Sequence, residues 1–137
     1  GILLHRVFEK ARTLNDLHRA LHDLDMGCNI DETEKESLLQ NINNSLEIDV
    51  VKHWFSNEWD DVKCESDIIT SDTMRRPDRV MIDGRNATIV DYKFGDIERS
   101  SHLKQVREYI SLLEAMGKYD NIEGYVWYIT LGKVIKV

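Results

Sequence analysis

Two carboxylates and one ammonium group in a single stretch of the chain, Asp78, Asp91 and Lys93, carry the sharpest chemical signal. Asp91 and Lys93 stand two apart in a segment of strand-forming residues, and residues two apart on a strand leave the same face. Asp78 opens the preceding apolar run, and Asp83-Gly84 between the two runs is a hairpin signal that folds one strand back beside the other. The two carboxylates can then converge. Carboxylates held close together favour a bound cation, and all-oxygen ligation suits a hard ion, Mg2+ or Mn2+. Lys93 beside them can orient or deprotonate an attacking water and stabilise the negative charge that builds on a phosphodiester during in-line attack. Read alone, Asp-x-Lys is also compatible with a solvated strand face carrying a surface ion pair of little energetic weight.

The neighbouring residues extend this pattern. Arg75, Arg76 and Arg79 surround Asp78, a basic cluster in an acidic chain that suits either phosphate contact or the balancing of nearby carboxylates. Taken together, RPDRVMIDGRNATIVDYKFG, Arg76 to Gly95, resembles the nuclease core of RecB- and AddA-type helicase–nucleases in the PD-(D/E)XK superfamily. The resemblance implies a restriction-endonuclease-like fold, metal binding by Asp78, Asp91 and the backbone carbonyl of Tyr92, and a catalytic role for Lys93. Farther on, QVREY is similar to the family's Q-x-x-x-Y element, which implies DNA binding by Gln105 and Tyr109; four residues apart on a helix, the two face one way. They also fit the polar flank of an amphipathic helix with a half-buried tyrosine.

The opening GILLHRVFE looks like the family's G-x-x-x-H helix and so implies His5 as a further metal ligand, although His18, His22, His53 and His102 show that histidine is not rare here. Glu65 stands where related nucleases have a glutamate, among other acids. Arg76 and Arg79 become DNA contacts on the same reading. The implied activity is exonuclease-type hydrolysis of DNA, with helicase motor domains in cis or the subunits of a helicase–nuclease complex as partners, and with the chain excised from a longer protein. Decayed members of the superfamily supply the alternative, an inert domain that clamps DNA or a partner subunit, and a third possibility is a small α/β protein with an unrelated binding role.

The elements that must position these residues follow from periodicity. Val7 and Phe8 continue an apolar face begun by Ile2 and Leu3, and Thr13 is placed to cap a helix over Leu14 to Met26 that ends at Gly27. Asp31 or Thr33 is placed to cap a third helix through Leu38, Leu39 and Ile42, and Ile48, Val51, Trp54 and Phe55 mark a short fourth. After Trp59 the pattern changes to strands at Val62 to Ile69, Val80 to Ile82 and Ile89 to Val90. Ser100 or Ser101 is the expected cap of a helix whose stripe is Leu103, Val106, Ile110 and Leu113 and whose end is Gly117. Two strands, Tyr125 to Leu131 and Val134 to Val137, close the chain. The expected fold is therefore α/β: a mixed sheet of about five strands flanked by helices, with a helical part over 1–58 and a sheet-containing catalytic core over 59–137, all in one domain.

Composition sets the outer bounds. With 137 residues, 42% of them apolar and 31% charged, the chain suits a single core. No apolar run approaches the roughly 20 residues of a membrane span, and there is no signal-peptide pattern at the start, so a cytoplasmic protein without membrane contact is expected. Cys28 and Cys64 are too few for the four-cysteine cluster of the iron–sulfur nucleases and read as reduced, buried thiols. A net charge of −7 argues against strong unaided DNA binding, because that affinity comes mainly from lysine and arginine on phosphates.

Overall fold

In a computed structural model, which describes residues 7, 8, 10–23, 32–64, 77–95 and 97–137, the chain is an α/β protein built on one five-stranded sheet. Among the described residues, Val7, Phe8 and Lys10 are helical, and the helices α1 (Leu14–His22), α2 (Glu32–Leu46) and α3 (Asp49–Trp54) precede the sheet. Then follow β1 (Asp61–Cys64), β2 (Arg79–Asp83), β3 (Asn86–Lys93), α4 (Ser100–Met116), β4 (Asn121–Tyr128) and β5 (Lys133–Lys136). The strands lie in chain order; β3 and β4 are parallel, joined by the α4 crossover, and every other neighbouring pair is antiparallel. The order of helices, three strands, a helix and two strands is the one expected from periodicity. Among the described residues no helix is long and apolar enough to cross a membrane.

Helix limits follow the local chemistry, with small departures from expectation. Thr13 caps α1 as expected: its hydroxyl accepts from the Asp16 N–H, and the Asp16 carboxylate accepts from the Thr13 N–H, so two otherwise orphaned donors are satisfied. The helix stops at His22 rather than Met26, where the Asp23 N–H turns back to the Arg19 carbonyl at 3.1 Å. Thr33 lies inside α2 rather than capping it, and Asp31 and Gly27 lie outside the described residues. On α4 the N-cap is Arg99, one residue before the serines, with no side-chain hydrogen bond, and the helix ends at Gly117 as its spacing indicates. The β2–β3 turn is Gly84-Arg85, because Asp83 is still paired with Asn86; Gly84 takes the positive φ of 60° that the tight turn requires.

Strand alternation divides the core in two. Met81, Val90, Tyr92 and Trp127 face the N-terminal helices, packing with Phe8, Leu17, Ile42, Val51, Trp54 and Phe55. Trp127 is the hub of that layer: the rings of Phe8, Trp54, Phe55 and Tyr92 lie 5.5–6.1 Å from it, all edge-on. A hydroxyl from α2, Ser45, donates to the Ile129 carbonyl at the end of β4 and ties this layer to the sheet. Val80, Ile89, Val126 and Tyr128 face the other way, toward Val106, Tyr109 and Leu113 of α4.

Gly124 lets α4 lie close to that second face. A Cβ there would meet Val106 Cγ1 at 2.6 Å and Ile110 Cδ1 at 2.7 Å. Gly124→Ala therefore pushes the helix off the sheet, at an expected cost of about 1–3 kcal/mol by urea denaturation. An unchanged midpoint would mean that α4 rides higher on β4 than these distances indicate.

Candidate active site

Alternation decides which side chains meet. Asp91 and Lys93 follow Ile89 at steps of two and so leave β3 toward α4, and Asp78, one residue before β2, precedes Val80 by the same step. Arg79 pairs with Val90, and one further step of that antiparallel register sets Asp78 across from Asp91. The Asp78 carboxylate, 9% exposed, accepts the Tyr92 N–H at 2.8 Å, which fixes it against the strand that bears Asp91 and Lys93.

Lys93 and Asp91 form an ion pair, Nζ to Oδ2 at 2.9 Å, with 4% of the aspartate side chain and 25% of the lysine side chain exposed. The angle between them gives the buried Oδ2 no hydrogen bond, so among the described residues charge alone satisfies this oxygen. Lys93 Nζ also donates to Gln105 Oε1 at 3.3 Å, and Gln105 Nε2 donates to the Tyr109 hydroxyl at 2.9 Å. Asp91, Lys93, Gln105 and Tyr109 thus form one chain of polar contacts between β3 and α4. Where β3 leaves the sheet, Ile129 N–H donates to the Lys93 carbonyl at 2.9 Å and Thr130 Oγ1 to the Phe94 carbonyl at 3.1 Å. The cluster lies at the carboxyl ends of the two parallel strands, where open α/β sheets commonly present their ligands.

Two expectations need correction. Arg79, read as a DNA contact, is 0% exposed. It follows Asp78 by one residue and so leaves β2 on the opposite face, where Nη1 donates to the Ala11 carbonyl at 2.7 Å and Nη2 to those of Arg12 and Trp54 at 2.8 and 2.7 Å. The guanidinium also lies 4.1 Å over the Phe55 ring. Tyr109, also read as a DNA contact, is 2% exposed on the sheet side of α4 among Val80, Ala87 and Ile89, and its hydroxyl accepts from Gln105, which links it to the site. His5, Glu65, Arg75, Arg76 and Cys28 lie outside the described residues; Cys64 is a half-buried thiol that donates to the Ala11 carbonyl at 3.7 Å. Tyr92 stands between Asp91 and Lys93 with its ring in the aromatic layer, and burial pushes its phenol well above the usual tyrosine range.

His102 belongs to the site, a role that the sequence reading did not assign to it. Its Nδ1 lies 2.9 Å from the hydroxyl of buried Tyr128, whose register partner across the parallel pair is Lys93. Burial lowers the imidazole pKa below its ordinary value; the Lys93 charge lowers it further and Asp91 opposes. The signal was present as spacing: His102 precedes Gln105 by three and Tyr109 by seven, one face of one helix.

The residues fit a magnesium-type ion to this extent: the Asp78 carboxylate is bonded to the backbone N–H that follows Asp91, and one buried Asp91 oxygen lacks a hydrogen-bond donor among the described residues. Mg2+ commonly takes one or two carboxylates and completes its shell with water. Among the described residues no three histidine, cysteine, aspartate or glutamate side chains gather closely enough to form a larger ligand set. No model of a known protein family matches the chain, and no curated protein matches it at a significant level.

Proposed function

We propose that this chain is a metal-dependent deoxyribonuclease, the exonuclease-type nuclease domain of a RecB-like helicase–nuclease with a restriction-endonuclease-like core, acting in the cytoplasm in DNA repair and recombination. The observation that carries the reading is the Lys93–Asp91 pair at 2.9 Å, set beside Asp78 and linked to the Gln105–Tyr109 pair. The resemblance assigns Asp78, Asp91 and Lys93, in this order and spacing, to metal binding and catalysis, and Gln105 and Tyr109 to DNA binding.

Asp78 and Asp91 would hold Mg2+ or Mn2+, with the Tyr92 carbonyl and His5 as further ligands implied by the resemblance alone. A divalent ion there supplies Lewis-acid polarisation of a phosphodiester oxygen. Lys93, a quarter exposed, reaches solvent and can orient the attacking water while its charge stabilises the negative charge that develops on the phosphate oxygens. Gln105 limits the freedom of Lys93 Nζ, and buried Tyr109 fixes Gln105. A net charge of −7, with Arg79 withdrawn into the core, leaves delivery of DNA to the motor domains and counts against an inert DNA clamp.

The test is cleavage of labelled single-stranded and duplex DNA by the wild-type chain and Asp91→Asn, with Mg2+, with Mn2+ and with chelator. The expected result is metal-dependent cutting lost in Asp91→Asn. Cutting that survives chelator or the substitution would place the chemistry elsewhere.

A further inference from the structure

The Tyr128 hydroxyl is buried, and His102 Nδ1 at 2.9 Å is its hydrogen-bond partner. A buried hydroxyl with such a partner is most stable when its proton is used there, because an unsatisfied donor costs about 1–3 kcal/mol. Nδ1 must then be the acceptor, which puts the ring proton on Nε2. The two rings lie 5.7 Å apart at 46°, so the phenol holds the imidazole in orientation as well as in tautomer.

The imidazole is half-buried, and with Ser101, Lys104, Gln105 and Glu108 it lines an open pocket of about 400 Å3. Lys104 and Glu108 give that pocket opposite charges, so it has no net attraction for an anion of its own. Attraction comes from Lys93, whose Nζ donates at 3.3 Å to Gln105, a residue that lines the same pocket as His102. An uncharged N–H donor beside Lys93 can bind a phosphate oxygen without adding a second positive charge that would repel the ammonium or a bound cation.

We propose that His102, held as its Nε2–H tautomer by the Tyr128 hydroxyl, donates a hydrogen bond to a DNA backbone phosphate next to the one attacked, and so sets the strand's position over Asp91 and Lys93. This rests on the nuclease reading and adds to it a substrate contact on the first turn of α4. Such a contact acts on strand binding rather than on the reacting bond, which separates it from a proton-transferring histidine.

The test uses the full chain. Imidazole nitrogen NMR of wild type is expected to show the Nε2–H tautomer, and Tyr128→Phe a mixture of tautomers. In chelator, where the nuclease reading expects no cutting and Lys93 is retained, His102→Phe is expected to weaken binding of a labelled oligothymidylate about tenfold, the loss of one hydrogen bond to a charged group. His102→Gln, which keeps an N–H donor, is expected to recover part of that loss. In the cutting-competent chain the same His102→Phe raises KM and leaves kcat nearly unchanged. An Nδ1–H tautomer in wild type, unchanged affinity in His102→Phe, or an effect on kcat alone overturns the contact while Mg2+-dependent cutting by wild type stands. Absence of both cutting and DNA binding in wild type overturns the nuclease reading and the contact with it.

Discussion

Lys93→Ala abolishes measurable DNA cleavage, with an expected loss of about 10²–10³-fold or more from removing a positive group aimed at developing charge. The same change has a structural cost, because Asp91 is buried and its Oδ2 has no hydrogen-bond donor among the described residues to fall back on. Breaking a fully buried pair costs about 3–5 kcal/mol, and here about 1–3 is expected, since a quarter of the lysine side chain stays in water. Urea denaturation in chelator reads that cost. Combining Asp91→Asn with Lys93→Met removes both charges and should recover most of the stability while the chain stays inactive. Catalysis and folding thus part company at this pair. A Lys93→Ala chain that cuts at the wild-type rate would remove the lysine from the mechanism altogether.

The second large effect is on folding and comes from Arg79. Its guanidinium is the donor for three carbonyls, those of Ala11, Arg12 and Trp54, and it covers the Phe55 ring. Arg79→Met leaves those carbonyls without this donor and is expected to cost about 3–5 kcal/mol, a large share of the roughly 5–15 kcal/mol that holds an ordinary domain folded. Arg79→Lys keeps the charge but not the planar fork, so it should lose about half as much. The urea midpoint measures both. If Arg79→Lys instead weakened DNA binding with the midpoint unchanged, the arginine would lie on the DNA face and its packing against Phe55 and the three carbonyls would be wrong.

Arg79 also shows how far the sequence could be read. Period-two alternation set Asp91 and Lys93 on one face, and the structure agrees. The same rule separates Asp78 from Arg79, yet treating the arginines as one basic cluster put Arg79 on the wrong side of β2. The order and number of strands were legible because Val80 to Ile82, Ile89 to Val90 and Tyr125 to Ile129 are apolar runs between clear turns. Helix ends were less legible: Thr13 was found because its partner Asp16 is local, whereas Arg99 caps α4 without any side-chain signature. Burial of Tyr109 was hidden because it depends on how closely α4 lies on β4, and that depends on Gly124, fifteen positions away. His102 was hidden for a similar reason, since its partner Tyr128 lies on a strand that reaches it only through the crossover.

The two faces of β3 do unlike work: Val90 and Tyr92 build the aromatic layer, while Asp91 and Lys93 build the polar chain to α4. Because neighbours on a strand point oppositely, one residue gained or lost inside Asn86–Lys93 would exchange these assignments, sending the carboxylate among the tryptophans and a tyrosine ring into the polar cluster. The segment between Phe94 and Ser100 joins β3 to α4 outside the ladders, so a change of length there leaves the alternation of β3 in place. Over evolutionary time such a chain can vary its connections and its surface, but β3 is held to a fixed count by both of its neighbours at once.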